Sequence, residues 1–231
     1  MGPPAAFGLD PSGANGSDGL LRFDRSGVTM AQKPGGHAVT DLTILPEGLE
    51  APFDDGAASH LLGRTLPRVA LPATSGPPVD LGQLRGTVVL YAYPMTGRPG
   101  APLPGGWNEI PGARGCTPQA CGFRDQFAEL KALGVAHVFG LSTQTTGYQR
   151  EAAERLHLPF PLLSDAGLDV QDMLDLPTFE VDGDLLLKRL TMIVRDGEIV
   201  ALFYPVFPPD RNAADVADWL RRHPEDGAAH H

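Results

Sequence analysis

Residues 112–125 determine the fold of the chain and read Gly-Ala-Arg-Gly-Cys-Thr-Pro-Gln-Ala-Cys-Gly-Phe-Arg-Asp. This segment contains Cys116 and Cys121, the only two cysteines of the 231-residue sequence. Pro118 is suited to the first position of an α-helix, where its missing N–H is not needed, and Thr117 would then be the N-cap residue. The segment therefore predicts a junction between a glycine- and proline-rich loop and a helix, with Cys116 at that junction.

Apolar residues extend this helix along one face. They follow one another at spacings of four, three and three residues: Phe123, Phe127, Leu130 and Leu133. This periodicity predicts a helix over residues 117–133. Unpaired backbone N–H groups and the positive end of the helix dipole favour a thiolate at Cys116, and Arg114 and Arg124 are close enough in sequence to contribute. Cysteines held as thiolates are the reactive ones.

The position of Cys121, five residues after Cys116, limits the conditions under which the two thiols can form a disulfide. A step of five residues turns a helix through roughly 500°, so the two side chains would point about 140° apart. Because a disulfide needs Cα atoms within about 7 Å, the pair can bond only if the first turn unwinds or Cys121 moves outward. This arrangement suits a redox cycle in which Cys116 is oxidised to a sulfenic acid, which condenses with Cys121 once the first turn has opened. The spacing is also compatible with two ordinary thiols, one buried under the helix.

Several segments together carry a resemblance to a known family. Residues 115–125 resemble the active-site segment of the peroxiredoxins, specifically the bacterioferritin-comigratory-protein or PrxQ type. The similarity extends over residues 66–220 and includes four further segments: residues 88–94, 140–143, 161–165 and 188–194. The resemblance implies a thioredoxin-like α/β fold, with a central mixed sheet flanked by helices.

The resemblance also implies roles for individual residues. Cys116 would be the peroxidatic cysteine, Cys121 the resolving cysteine, and Arg189 the cation that a later strand brings to the thiolate. Without the resemblance, Arg189 would be interpreted as a solvated arginine at a strand end, beside Lys188. Backbone N–H groups at Gly115 and in the first helical turn would hold the peroxide. The implied partners are a hydroperoxide substrate and a thioredoxin-like reductant, and the implied state is a monomer or weak homodimer.

The sequence departs from the family immediately before Cys116. Peroxiredoxins carry a proline seven residues and a threonine or serine three residues before the peroxidatic cysteine, where this chain has Glu109 and Ala113. The proline that follows the strand is present as Pro94, which the resemblance implies is a substrate-binding residue, and Thr96 lies two residues later. The hydroxyl that contacts peroxide would therefore come from Thr96 or be missing, and Thr117 is a weaker candidate.

Residues 97–111, rich in glycine and proline, account for the departure as an insert. The turn content predicts an ordered loop, with Trp107 and Ile110 as apolar anchors. We expect this loop to wall the Cys116 pocket and restrict the substrate, with Trp107 as a substrate-binding residue. The alternative is a decoration on the solvent side, in which Trp107 fills a gap.

Composition limits the partners and the compartment. The net charge of −10 and the pI of about 5.0 argue against nucleic acid or an anionic membrane as the main partner. The sequence has no run of 18 apolar residues and no secretory signal pattern. Two cysteines within one motif suit a reducing compartment, which predicts a cytoplasmic protein. No cofactor or metal is expected, because apart from the terminal histidine pair no histidine has another histidine or a cysteine at metal-binding spacing.

Glycine-rich and apolar segments alternate in a way that predicts the organisation of the chain. We expect a flexible or poorly ordered tail at residues 1–45, an ordered lead-in at 46–63, a thioredoxin-like domain at 64–223 and a C-terminal tail at 224–231. The predicted strands and extended segments cover residues 66–71, 87–93, 135–141, 161–163, 191–194 and 199–203. The continuous apolar run at 88–93 suits a central strand covered on both faces, and residues 195–198 predict a hairpin turn with a positive φ at Gly197. The further predicted helices cover residues 146–157, 166–174 and 213–222.

Two functions are compatible with these features. The first is a thiol peroxidase in which Cys116 reduces a hydroperoxide and Cys121 resolves the product. The second is a non-enzymatic redox-responsive protein that keeps the fold but binds peroxide weakly. Ala113, where a hydroxyl residue is expected, favours the second, whereas the two cysteines and Arg189 favour the first.

Overall fold

The computed structural model describes residues 42–224, and the predicted tails therefore lie outside the described residues except at positions 42–45 and 224. The strands are β1 (Ala70–Leu71), β2 (Val79–Asp80), β3 (Thr87–Ala92), β4 (Val135–Ser142), β5 (Leu162–Ser164), β6 (Thr178–Val181), β7 (Asp184–Leu187), β8 (Leu190–Arg195) and β9 (Glu198–Phe203). The helices are α1 (Cys116–Asp125), α2 (Phe127–Ala132), α3 (Thr146–Arg155), α4 (Asp169–Leu174) and α5 (Asn212–Arg222).

Within the described residues, five strands form a central sheet in the order β5-β4-β3-β8-β9. The pairs β3–β4 and β4–β5 are parallel, whereas β3–β8 and β8–β9 are antiparallel. The sheet is therefore mixed and has helices packed on it, which confirms the thioredoxin-like α/β class.

Strand β3 is central because both of its faces are apolar, as its sequence predicts. All six of its residues are buried. Val88 and Leu90 belong to a core on one face of the sheet, and Val89 and Tyr91 belong to a core on the other. The second core also contains Cys116, so the thiol lies against the same sheet face as Tyr91.

The N-cap of helix α1 lies two residues earlier than the sequence predicts. Helix α1 starts at Cys116, and its N-cap is Gly115 with φ of 100°, so the assignment of Thr117 as the N-cap is wrong. A side chain at Gly115 would be strained at this φ, and its Cβ would lie 2.3 Å from Cγ of Pro209. Pro118 consequently occupies the third helical position, where an N–H has no helical partner in any case.

Other predicted elements differ in extent. The predicted helix at 117–133 is interrupted at Gln126, between α1 and α2. The predicted strand at 66–71 shortens to β1, because Pro67 and Pro72 remove N–H donors on either side of it. The β8–β9 hairpin has the expected positive φ at Gly197. None of the helices in the described part of the chain is long and apolar enough to cross a membrane.

Candidate active site

Cys116 lies at the first position of α1 and is 4% exposed. The tight approach that Gly115 permits lets the 3-10 turn Pro209–Arg211 pack against the helix start. The sulfur is also 3.7 Å from the carbonyl oxygen of Ala113, which is an acceptor for the protonated thiol. The thiol is therefore held at a helix N-terminus, where the backbone dipole favours negative charge.

Arg189 is the cation at this thiol. It directly precedes β8, the antiparallel neighbour of β3, and is 3% exposed. Its Nη2 lies 3.1 Å from Sγ of Cys116 and donates to the carbonyl oxygen of Arg114 at 3.0 Å. The same nitrogen is 3.3 Å from the carbonyl oxygens of Gly112 and Ala113. The backbone before the helix thus fixes a buried guanidinium against the sulfur, which excludes the solvated arginine considered above.

A buried polar network holds this guanidinium from the other side. Nη1 of Arg189 donates to Oε1 of Gln119. Nε2 of Gln119 donates to Oδ1 of Asn212 at 2.9 Å, and the hydroxyl of Thr191 donates to the same oxygen at 2.7 Å. Arg189 is therefore tied through α1 to the first residue of α5.

The sequence analysis did not identify the members of this network. Gln119 lies three residues after Cys116 on the same helix, and Thr191, in β8, lies two residues after Arg189, so helical and strand periodicity could have indicated both. Asn212 had no such signal, because only the folded chain brings the start of α5 to the site.

Cys121 lies on α1 and is half-buried, while Cys116 is buried, and both are free thiols. Burial raises the pKa of the Cys121 thiol, and the guanidinium groups of Arg124 and Arg155 act in the opposite direction. Nη1 of Arg124 also donates to the carbonyl oxygen of Leu156 at 2.9 Å, which anchors this part of α1 at the end of α3. The structure therefore places the second thiol on an intact helix.

A small cavity of about 20 Å³ opens at Cys116. It is lined by three groups of residues: Leu42 and Ile44; Met95, Gly97, Leu103 and Trp107; and residues 113–117. About 10–15 Å³ is needed to hold one water molecule, so this cavity admits a molecule only slightly larger than water. Gly115 and Trp107 are thus beside the thiol, and so is Thr117.

The structure does not bring Thr96 or Pro94 to this cavity. The hydroxyl and the N–H of Thr96 donate to Oε1 of Gln144 at 3.1 and 2.9 Å, and Nε2 of Gln144 donates back to the carbonyl oxygen of Thr96 at 3.2 Å. The carbonyl oxygen of Pro94 accepts from the hydroxyl of Ser142 at 3.0 Å. Both residues thus hold the chain at the end of β3, and the intervening Met95 lines the cavity.

The insert, residues 97–111, is fastened at several points. Nη2 of Arg155 donates to the carbonyl oxygen of Gly97 at 3.0 Å, and the guanidinium of Arg98 lies 3.9 Å above the ring of Tyr148. Trp107 is buried in a cluster with Ala113 and packs on the β6–β7 hairpin, which the sequence analysis did not predict. The loop is therefore an ordered wall of the cavity. The Asp182–Gly183 turn, with positive φ at both residues, is the signal that could have indicated the hairpin.

A second cavity of about 250 Å³ lies beside Arg189, and its lining includes Phe53, Ile110, Lys188 and Tyr204. Nζ of Lys188 and the hydroxyl of Tyr204 donate to the carboxylate of Asp55 at 2.6 and 2.7 Å. The hydrogen bonds from Lys188 and Tyr204 hold the pKa of Asp55 well below its usual range. Lys188 therefore fastens the lead-in to the domain, whereas its neighbour Arg189 faces the thiol.

Comparisons with known proteins agree with this geometry. Residues 61–219 match the family model described as Redoxin. The chain is 30% identical over 160 residues to the chloroplastic peroxiredoxin Q of Sedum lineare, covering 69% of this chain and 77% of that protein. It is 29% identical to a putative peroxiredoxin bcp of Coxiella burnetii, covering 69% of this chain and 97% of the relative.

Solved structures give the same result. The crystal structure of peroxidoxin BcpB from Mycobacterium tuberculosis superposes with a TM-score of 0.57 at 27% identity, over 71% of this chain and 98% of that one. Xanthomonas campestris peroxiredoxin Q, at 20% identity and a TM-score of 0.55 over 77% of this chain and 98% of that one, shares the fold. The chain belongs to the redoxin family and, within it, to the peroxiredoxins of the Q or Bcp type. It is an oxidoreductase, a thiol-dependent peroxidase, and the non-enzymatic alternative is not favoured.

Proposed function

We propose that Cys116 is the peroxidatic cysteine, that Cys121 resolves it, and that a thioredoxin-type dithiol recycles the disulfide. The contact that carries this proposal is the one between Nη2 of Arg189 and Sγ of Cys116 at 3.1 Å. A buried guanidinium at this distance stabilises the thiolate, which is the nucleophilic form of cysteine.

The first step transfers one oxygen atom to sulfur. The Cys116 thiolate attacks the terminal oxygen of the hydroperoxide, so that an S–O bond forms as the O–O bond breaks. The sulfur is oxidised by two electrons to a sulfenic acid, and the departing oxygen takes up a proton and leaves as an alcohol, or as water from hydrogen peroxide. Arg189 and the N–H groups at the start of α1 are the donors that meet the negative charge on the oxygens.

The second step forms the disulfide. The Cys121 thiolate attacks the sulfur of Cys116, the S–S bond replaces the S–O bond, and the hydroxide takes up a proton to leave as water. Since both cysteines lie on the intact α1, this step requires the first turn of the helix to open. A dithiol then donates two electrons, restores the two thiols and leaves as its own disulfide.

The remaining site residues have supporting roles in this proposal. Gly115 permits the close approach at the helix start and offers its backbone to the cavity. Trp107 walls the cavity, whereas Pro94 and Thr96 position Met95 instead of contacting peroxide. Thr117, which lines the cavity, is the hydroxyl residue that takes the place left by Ala113.

Cellular setting and assembly are also part of the proposal. Two cysteines confined to one redox motif support a cytoplasmic enzyme, since a reducing compartment keeps them as thiols between turnovers. We propose a monomer or weak homodimer, because the thiol, its cation and the resolving cysteine all come from one chain. Cell fractionation and light scattering of the purified protein would test these two points.

Mass spectrometry after treatment with one equivalent of hydrogen peroxide tests the assignment of the cysteines. The intact protein should lose two hydrogens, the Cys121→Ser variant should gain one oxygen, and the Cys116→Ser variant should do neither. Oxidation of the Cys116→Ser variant to the same extent as the wild type would contradict the assignment.

A further inference from the structure

We propose that residues 42–45, here called the N-terminal cover, set the size of hydroperoxide that reaches Cys116. In this proposal hydrogen peroxide enters the cavity as it stands, whereas a bulky organic hydroperoxide reacts only when Leu42 and Ile44 move aside. The proposal rests on the proposed function, because it specifies which substrates that site accepts.

The cover contributes two of the side chains that line the Cys116 cavity. Leu42 and Ile44 line the cavity together with Trp107 of the insert and Cys116 itself. The space they leave, about 20 Å³, is enough for a molecule of two oxygen atoms but not for a tertiary alkyl group. The size limit is therefore set by side chains, and two of them belong to the cover.

Two glycines allow the cover to approach this closely. A Cβ at Gly97 would lie 3.1 and 3.3 Å from the two Cδ atoms of Leu42. A Cβ at Gly115 would lie 2.8 Å from Cδ2 of Leu45. The cover thus packs against both the start of the insert and the N-cap of the active-site helix, and Gly97 and Gly115 both line the cavity.

The cover is only one side chain thick at Ile44. Ile44 lines the cavity and is nevertheless 64% exposed, so it separates the cavity from solvent as a single layer. Displacing a side chain that buries so little apolar surface costs little free energy. The insert offers no such route, because Trp107 is buried and the loop is fastened to α3 through Gly97 and Arg98. Of the two walls, the cover is the one that admits larger substrates.

The test compares two substrates in the full-length protein. The second-order rate of Cys116 oxidation is measured with hydrogen peroxide and with cumene hydroperoxide, for the wild type and for the Leu42→Ala/Ile44→Ala variant. The rate with cumene hydroperoxide should rise about tenfold or more, since removing methylene groups from a pocket wall changes discrimination by that order. The rate with hydrogen peroxide should change less than about twofold, because it already fits.

Controls keep the result interpretable. Leu62→Ala removes an apolar side chain of similar exposure, 59%, outside the cavity lining and should leave both rates unchanged. If the double variant does not fold, Ile44→Ala alone serves, since its exposed side chain contributes little to the core. An unchanged ratio of the two rates, or an equal rise of both, would overturn the size filter. Failure of the wild type to react with hydrogen peroxide would instead overturn the proposed function.

Discussion

Arg189 and Cys116 are separated by 73 residues in sequence, yet Nη2 of the arginine lies 3.1 Å from Sγ of the cysteine. The pairing of β3 with β8 produces this contact, because it brings the start of β8 to the end of β3 from which the active-site segment departs. The antiparallel half of the mixed sheet therefore supplies the charge, and the helix α1 supplies the sulfur.

Replacing Arg189 by alanine should slow the oxidation of Cys116 by hydrogen peroxide about 100- to 1,000-fold, as expected when one preorganised donor is lost from an active site. Arg189→Lys should retain part of the rate, since the charge remains but the planar set of donors is lost. Stopped-flow kinetics measure both. Arg85→Ala, at an exposed arginine before β3, is the control. If this variant lost as much of the oxidation rate as Arg189→Ala, the loss would reflect removal of any positive charge and not the contact with Cys116.

Disulfide formation should accelerate with pH. Burial raises the pKa of Cys121, so little of this thiol is ionised near neutral pH, and the thiolate that attacks the sulfenic acid becomes more abundant as pH rises. Arg124 opposes the effect of burial, so Arg124→Leu should shift the pH profile of disulfide formation towards higher pH. Rapid quenching followed by mass spectrometry follows this step.

The sulfenic acid provides the control for Arg124. Its rate of formation should be the same in the Arg124→Leu variant and the wild type, because Arg189 is the cation that contacts Cys116. An unshifted profile for disulfide formation would show that Arg124 does not act on Cys121.

Replacing residues 98–110 with a short glycine linker should increase the reactivity with cumene hydroperoxide relative to hydrogen peroxide. The reason is that Leu103 and Trp107, two side chains that line the cavity, are removed. Circular dichroism establishes whether the variant is folded, and stopped-flow kinetics give the two rates. If the variant and the wild type react at the same rate with each of the two peroxides, the insert does not determine substrate specificity.

The contribution of Asp55 to stability should depend on pH. Its pKa is lowered in the folded state by hydrogen bonds from Lys188 and Tyr204. The sign follows from this direction: the stabilisation is present above the unfolded carboxylate pKa of about 4 and is lost as pH falls through the lower folded value. Urea unfolding of the wild type and Asp55→Asn should therefore differ at pH 7 and converge in acid. A difference that is constant with pH would argue against an ionised Asp55.

Local patterns predicted the parts of the fold that depend on neighbours in sequence. The continuous apolar run of β3 indicated a strand covered on both faces, and Gly197 indicated the last hairpin. The assignment of Thr117 as the N-cap failed because the N-cap is Gly115, which is packed against Pro209, 94 residues after Gly115 in the sequence. The N-cap preferences of neighbouring residues give no information on a contact between residues so far apart in sequence.

The same limit applies to the site. Cys116 was identifiable from its own segment, but Arg189 was identifiable only through the resemblance, because strand pairing brings it to the thiol. Thr96 was the sequence candidate for the peroxide hydroxyl, but its hydroxyl donates to Gln144, a residue of the loop between β4 and α3 that is distant from Thr96 in sequence. Leu42 and Ile44 lay in a segment with no periodicity, so their position over the cavity could not be predicted.

The central claim is tested most directly by the fluorescence of Trp107, which lines the Cys116 cavity. In a Trp219→Phe background Trp107 is the only tryptophan, and it reports events at the thiol. Rapid mixing with hydrogen peroxide should give a phase whose rate rises linearly with peroxide concentration and which is absent after Cys116→Ser. No peroxide-dependent phase, or one that persists without Cys116, would contradict the account.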